Sequence, residues 1–268
     1  MKLGFVGGGN MAYAIACGVL AADLYKAEDI YISDPNSSAL EKFNKMGMSA
    51  KTDNKNALNC DIIVLAVKPF IYPLSLSELA KTTDKDELAE KVFVSIAAGV
   101  TTGEVKEWLG FDAKVVRVMP NTPAMVLEGM SVLASECLPA TDDEFSAVKQ
   151  IFEAIGEVEV MSESLLNSVI AVSGSSPAYI YMLIEAMADG AVRDGIPRDK
   201  AYRLAAQSVL GSAKMVLETG KHPGELKDMV CSPKGTTIAA VAELEKNGFR
   251  NAILEAMKAC TEKSNATK

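Results

Sequence analysis

The chain has 268 residues, 49% of them hydrophobic and 23% charged, a globular composition with ample core and length for two ordinary domains or one large α/β domain. Its net charge of −8 argues against nucleic acid or an anionic membrane as the main partner, because both demand basic patches, although a local phosphate pocket stays possible. Five scattered cysteines without a C-x-x-C pair (Cys17, Cys60, Cys137, Cys231, Cys260) indicate neither a metal site nor a disulfide framework, and read as small buried hydrophobes in a reducing compartment.

The chain opens on a short buried strand over 2–6, leaving no room for a signal peptide. Gly7-Gly8-Gly9-Asn10-Met11-Ala12 follows at once, and an apolar helix is expected over 12–22. Strand, glycines and helix in this order suit a dinucleotide. The first glycine permits the tight turn, and the next lets backbone N–H groups approach a pyrophosphate at the helix N-terminus. Gly7-x-Gly9-x-x-Ala12 is the variant with alanine third, and by itself it is a weak pattern that an ordinary glycine turn also satisfies.

A second strand over 29–32 ends in Ser33-Asp34-Pro35. Asp34 falls about 25 residues beyond Gly9, near the place where an acidic residue bonds the adenosine ribose. The same residues equally suit the cap of a helix expected over 39–46. After a short extended piece at 48–50, Asn54 and a brief helix over 55–58, the run 62–67 is unbroken apolar, as a strand covered on both faces requires. It ends in Ala66-Val67-Lys68-Pro69. Strands over 92–96 and 114–118 end in Ala97-Ala98-Gly99 and Met119-Pro120-Asn121-Thr122-Pro123, with a helix over 102–109 between them. Every strand end meets small or turn-forming residues, which points to one ligand-binding edge.

Strands over 130–134 and 157–161 flank a helix over 142–154. Beyond Ser162 only helices are expected: 165–172, 178–194, 198–218, 236–247 and 251–262. The boundary falls near 161–164, dividing a dinucleotide-binding part, 1–162, from a helical substrate-binding and dimerisation part, 163–268. The stretch 178–188 is apolar nearly all round, which suits a subunit interface or the centre of a monomeric bundle. No uninterrupted apolar run approaches the ~20 residues of a bilayer span, so a soluble cytoplasmic protein is expected.

Two loops in this half are dense in small residues: Ser173-Gly174-Ser175-Ser176-Pro177 and Cys231-Ser232-Pro233-Lys234-Gly235-Thr236-Thr237. The second suits an anion, with hydroxyls and N–H groups at a helix start. Each is also what an ordinary capped helix start looks like. The one histidine, His222, reads as a surface turn or cap residue, and among Tyr179, Tyr181, Lys68 and Lys234 nothing singles out a proton donor. A substrate already cationic at its reacting atom needs no strong acid, only correct placement of a hydride donor.

These motifs together resemble the pyrroline-5-carboxylate reductases. The resemblance runs from Phe5-Val6-Gly7-Gly8-Gly9-Asn10-Met11-Ala12 to the most specific stretch, Leu226-Lys227-Asp228-Met229-Val230-Cys231-Ser232-Pro233-Lys234-Gly235-Thr236-Thr237. It implies an α/β Rossmann-type N-terminal domain, an all-α C-terminal dimerisation domain, and a homodimer or higher homo-oligomer. It implies a cyclic imine substrate, NADP(H) or NAD(H), and no metal. Cofactor contacts fall to Gly7, Gly9, Asn10, Met11, Ser33, Asp34, Asn54, Ala66, Val67, Lys68, Pro69, Ala97 and Asn121. Substrate contacts fall to Ser175, Asn121, Ser232, Gly235, Thr236 and Thr237, with Thr237 nearest the ring nitrogen as the catalytic candidate.

Two departures from the family pattern carry expectations. Ser176 stands where a glycine is usual, and would be strained if that position needs a positive φ. Ser33-Asp34-Pro35 replaces a serine-asparagine-arginine run, so a carboxylate stands where a 2′-phosphate would be gripped and NADH use becomes plausible. The alternatives are a related imine or keto-acid reductase, and a nucleotide-sensing paralogue without catalysis.

Overall fold

The structure is a computed structural model that describes residues 1–137 and 139–266; the last two residues of the expected helical part, 267–268, lie outside the described residues. The chain forms two compact units. One is Met1–Ser175 with the end of the chain from Cys260 on, and the other is Ser176–Ala259.

The first unit carries an eight-stranded sheet in the order β3-β2-β1-β4-β5-β6-β7-β8. The strands are β1 Leu3–Val6, β2 Ile30–Ser33, β3 Ser49–Lys51, β4 Ile62–Leu65, β5 Val92–Ser95, β6 Lys114–Met119, β7 Gly129–Ala134 and β8 Gly156–Met161. The first six are parallel, β7 runs antiparallel to β6, and β8 is parallel to β7. The 3-2-1-4-5-6 core is the doubly wound arrangement, with two further strands at its edge.

Side-chain alternation divides the core between two faces. Leu3, Phe5, Ile62, Val64, Val92 and Val94 join one apolar cluster, and Val6, Ile63, Leu65 and Phe93 join another. The helices Asn10–Ala21, Ser37–Asn44 and Asp142–Glu153 contribute to the first cluster. The helices Tyr72–Thr82, Lys85–Ala89 and Thr102–Leu109 contribute to the second. Two of these, Tyr72–Thr82 and Lys85–Ala89, were not expected. Tyr72, Leu76 and Leu79 bury one helical stripe, and Pro73 is tolerated because it stands in the first turn, whose N–H groups have no intrahelical partner.

The segment after β8 is more broken than the expected single helix over 165–172. A 3₁₀ turn Glu163–Leu165 leads into an α-helical turn Leu166–Val169 and a π-helical turn Ile170–Gly174. It is tied to the sheet by a polar chain. Glu136 accepts from the Ser162 hydroxyl and the Glu163 N–H, both at 2.7 Å. The Glu163 carboxylate in turn accepts from Thr102 N (2.8 Å) and Thr102 Oγ1 (2.7 Å) at the start of the helix Thr102–Leu109. Arg117, 1% exposed in β6, donates to Glu163 at 3.4 Å and to Asn167 Oδ1 at 2.7 Å.

In the second unit the long helices Ser176–Arg193 and Arg198–Thr219 pack on each other, and of their residues only Ala188, Ala201 and Ala205 are buried. Met182 stays 69% exposed and Leu217 81%. The apolar stretch at 178–188 is therefore not buried as the centre of a monomeric bundle would be. The helical run Glu163–Arg193 is long and apolar enough to cross a bilayer by length and composition alone, and 17% of its most apolar stretch is buried within the chain. That qualifies the expectation drawn from uninterrupted apolar runs. His222 is a cap, its Nδ1 accepting from Gly224 N at 3.0 Å at the start of the helix Pro223–Val230.

The two hydrogen bonds from Ser162 and Glu163 hold the Glu136 carboxyl down to about 2, against an ordinary 4.5. A depressed carboxyl stabilises the fold above its unfolded value and loses that contribution as pH falls through the folded one. Stability should therefore fall between pH ~4.5 and ~2 with a share that Glu136→Gln removes. Urea titrations at fixed protein concentration across that range check this, and an unchanged acid limb in the variant would contradict it.

Candidate functional site

Because β1, β2, β4, β5 and β6 are parallel and in level register, their carboxyl ends share one edge. Val6 pairs with Ser33 and Leu65, Leu65 with Ser95, and Ser95 with Arg117. On this edge Gly7 N donates to Ser33 O, and Ala66 N to Val6 O, each at 2.7 Å. Gly7 has φ +105°, and a Cβ there would stand 2.6 Å from the Ala66 carbonyl oxygen. Both the backbone angle and the close approach demand glycine.

Gly9 differs. Its φ of −71° suits any residue, and a Cβ there would meet nothing within 4 Å beyond its two chain neighbours. It leads into the helix Asn10–Ala21, which has no side-chain cap and no acidic residue in its first turn. The N–H groups of Asn10 and Met11 precede the first intrahelical bond, from Tyr13 N to Gly9 O at 3.1 Å. Free N–H groups, an aligned helix dipole and open space beside Gly9 are suited to an anion.

Asp34 is fixed at the end of β2. Its carboxylate accepts from Gly8 N at 2.7 Å and from Asn36 N at 2.9 Å, while Asn36, two residues later, caps the helix Ser37–Asn44 through Ser38 N. Ser33 faces inward, 0% exposed. Its hydroxyl donates to Asp53 O at 3.0 Å and accepts from Ala57 N at 3.1 Å, which fixes the loop carrying half-buried Asn54. Ala66 and Val67 are half-buried beyond β4, Lys68 is exposed, and Pro69 opens a 3₁₀ turn. Ala97 is buried beyond β5. Tyr72, absent from the sequence expectations, donates its hydroxyl to Leu65 O at 2.6 Å; burial pushes that phenol well above its ordinary value.

Asn121 is 8% exposed, and both ends of its amide are engaged. Oδ1 accepts from Met130 N at 2.9 Å and Nδ2 donates to Ser173 O at 3.0 Å. Ser175 closes the π-helical turn, its N–H bonding Ile170 O at 2.7 Å, and its hydroxyl accepts from the Cys260 thiol at 3.3 Å. A cavity of about 290 Å³ is lined by Pro69, Ala98 and Gly99 from the strand edge and by Ile170, Ser175 and Cys260. Ser176 is the first residue of the helix Ser176–Arg193, and it is not among the described non-glycine residues with positive φ. The strain expected there does not arise.

The remaining expected residues lie in the second unit. Gly235 caps the helix Thr236–Lys246, which again has no side-chain cap and no acidic residue in its first turn. A Cβ on Gly235 would stand 2.3 Å from the Ser232 hydroxyl, so glycine is what lets Ser232 fold over the helix start. Lys234 takes φ +62°, a left-handed conformation costing about 1–2 kcal/mol for a side-chain-bearing residue. Ser232 and Thr236 are exposed and Thr237 is half-buried, so hydroxyls and free N–H groups meet at one positive helix end.

A family model described as pyrroline-5-carboxylate reductase dimerisation matches residues 163–267, and one described as NADP oxidoreductase, coenzyme F420-dependent, matches 2–99. The chain is 49% identical to pyrroline-5-carboxylate reductase of Escherichia coli over 98% of its own length and 97% of that protein. It belongs to the pyrroline-5-carboxylate reductase family. The Arabidopsis thaliana reductase is 41% identical, covering 98% of this chain and 94% of its own. The crystal structure of the Plasmodium falciparum reductase, with NADP bound, superimposes with a TM-score of 0.89 at 34% identity, covering 99% of this chain and 97% of that one. Both halves of the chain thus match the family's plan of a Rossmann-type domain followed by a helical one.

Since Ser176 is helical, placing glycine there should relieve nothing. Ser176→Gly is expected to leave thermal stability unchanged or to lower it by up to about 1 kcal/mol, as read by calorimetry, and a clear stabilisation would contradict this geometry.

Proposed function

We propose that the chain reduces 1-pyrroline-5-carboxylate to L-proline, the last step of proline biosynthesis, using NADH or NADPH, with 1–162 as the dinucleotide-binding part and 163–268 as the substrate-binding and dimerisation part. The observation that carries this reading is the open, uncapped helix start at Gly9, in a chain nearly half identical along its whole length to a reductase of this kind.

The residues present fit a nicotinamide dinucleotide. Gly7 makes the turn, and Gly9, Asn10 and Met11 offer N–H groups to the pyrophosphate. Asp34 presents a carboxylate to the adenosine ribose, with Asn54 nearby in sequence to the loop that Ser33 holds. Ala66, Val67, Lys68, Pro69, Ala97 and Asn121 border the nicotinamide end. When bound, the cofactor supplies the hydride that adds to the imine carbon.

The chain's own residues bind and orient the substrate. Ser232, Gly235, Thr236 and Thr237 hold the substrate carboxylate at the positive end of the helix Thr236–Lys246. The Thr237 hydroxyl accepts or donates at the ring nitrogen. Because the imine is cationic when protonated, placement does the work that a strong acid would otherwise do. The large apolar faces of the helical unit suit burial against a second copy, giving a homodimer or higher assembly rather than a membrane-spanning segment.

A carboxylate beside the ribose disfavours the extra phosphate of NADPH by like-charge repulsion. Turnover of pyrroline-5-carboxylate, followed by loss of nicotinamide absorbance, should occur with both cofactors. Asp34→Ala should move the ratio of kcat/KM values toward NADPH by about tenfold, near 1.4 kcal/mol. Absence of turnover with either cofactor in a folded protein that binds nucleotide would overturn the reaction, and an unchanged ratio would overturn the role of Asp34.

A further inference from the structure

Arg117, Met119 and Asn121 alternate onto one side of β6 and its extension, and all three meet the segment 163–174. Arg117 bonds Glu163 and Asn167. Met119 packs in one apolar cluster with Leu166, Val169 and Ile170. Asn121 reaches the last part, donating to the Ser173 carbonyl from a side chain 8% exposed while accepting from Met130 N on β7.

The segment they hold ends in the π-helical turn Ile170–Gly174. Such turns are rare, persist only where their surroundings favour them, and gather at functional sites. This one delivers two of its boundary residues, Ile170 and Ser175, to the 290 Å³ cavity at the carboxyl ends of β4 and β5. Both bonds are part-buried, so losing either costs the bridge between β7 and the turn, while the amide keeps one N–H and one Oδ1 lone pair beyond that bridge.

We propose that Asn121 acts on turnover as a positioning residue: by bridging Met130 N and Ser173 O it fixes the π-helical turn and so places Ser175 at the cavity. The consequence for turnover rests on the reaction proposed above; the consequence for the turn does not.

Asn121→Asp is nearly isosteric and keeps the acceptor for Met130 N, but it replaces the donor to Ser173 O with a repelling carboxylate. In the full-length protein, three quantities are compared with wild type: backbone hydrogen exchange over 170–178, the dissociation constant for NADPH from nucleotide fluorescence, and kcat with pyrroline-5-carboxylate. Exchange over 173–175 should quicken about tenfold or more, and kcat should fall by a similar factor while NADPH affinity changes less than about threefold. Unchanged exchange, unchanged kcat alongside faster exchange, or a tenfold loss of NADPH affinity would each overturn the proposal. Should the aspartate variant not fold, Asn121→Ser, uncharged and too short to span both partners, is measured by the same criteria. If the wild-type protein does not turn over pyrroline-5-carboxylate, the reaction has failed, and exchange and NADPH affinity still decide the role of Asn121.

Discussion

The close passage of Gly7 beneath the Ala66 carbonyl is the constraint on which the candidate site depends. A Cβ at Gly7 would stand 2.6 Å from that oxygen, at a φ of +105°, so the ends of β1 and β4 can meet only if this residue has no side chain. With the chain turned so sharply, Gly8 comes within 2.7 Å of the Asp34 carboxylate and Gly9 is left facing open space. The helix that follows then begins with its N–H groups unclaimed. One backbone contact thereby ties the turn, the carboxylate at the end of β2 and the anion-seeking helix start into a single arrangement.

The second unit is governed by a different shortage. Its helices bury three alanines and leave Met182, Leu217 and much of their apolar surface exposed. A helical pair with so little interior cannot offset the conformational entropy of its own ordering. The sequence pattern anticipated this through residues 178–188, apolar nearly all round, and the match of 163–267 to a dimerisation model accords with burial against another copy. The loop 232–237 sits in this unit with Lys234 held left-handed, a local strain that persists only when neighbouring contacts enforce it.

The parallel core was legible because doubly covered strands such as Ile62–Leu65 must be apolar without interruption, and because glycines and prolines mark the strand ends. Other features were not legible, for specific reasons. The helix Tyr72–Thr82 hides behind Pro73, which reads as a breaker unless its place in the first turn is known. Asn36 rather than Asp34 caps the next helix, and the two are indistinguishable by residue type alone. The internal bonds of Asn121 and Ser33 to Ser173, Met130, Asp53 and Ala57 were not legible either, because those partners lie 9 to 52 residues away. The π-helical turn has no periodic signature of its own.

Gly9 offers the most direct test that a dinucleotide occupies the carboxyl edge. A methyl there meets nothing within 4 Å beyond its chain neighbours, at a φ any residue adopts, so Gly9→Ala should change folding stability by no more than about 1 kcal/mol. The space it fills is the space assigned to the pyrophosphate. Measured by titration calorimetry, NADPH affinity should fall by at least about tenfold with stability preserved. Affinity equal to that of the wild type in a stable Gly9→Ala protein would mean that the cofactor does not approach this helix start, and would contradict the account at its centre.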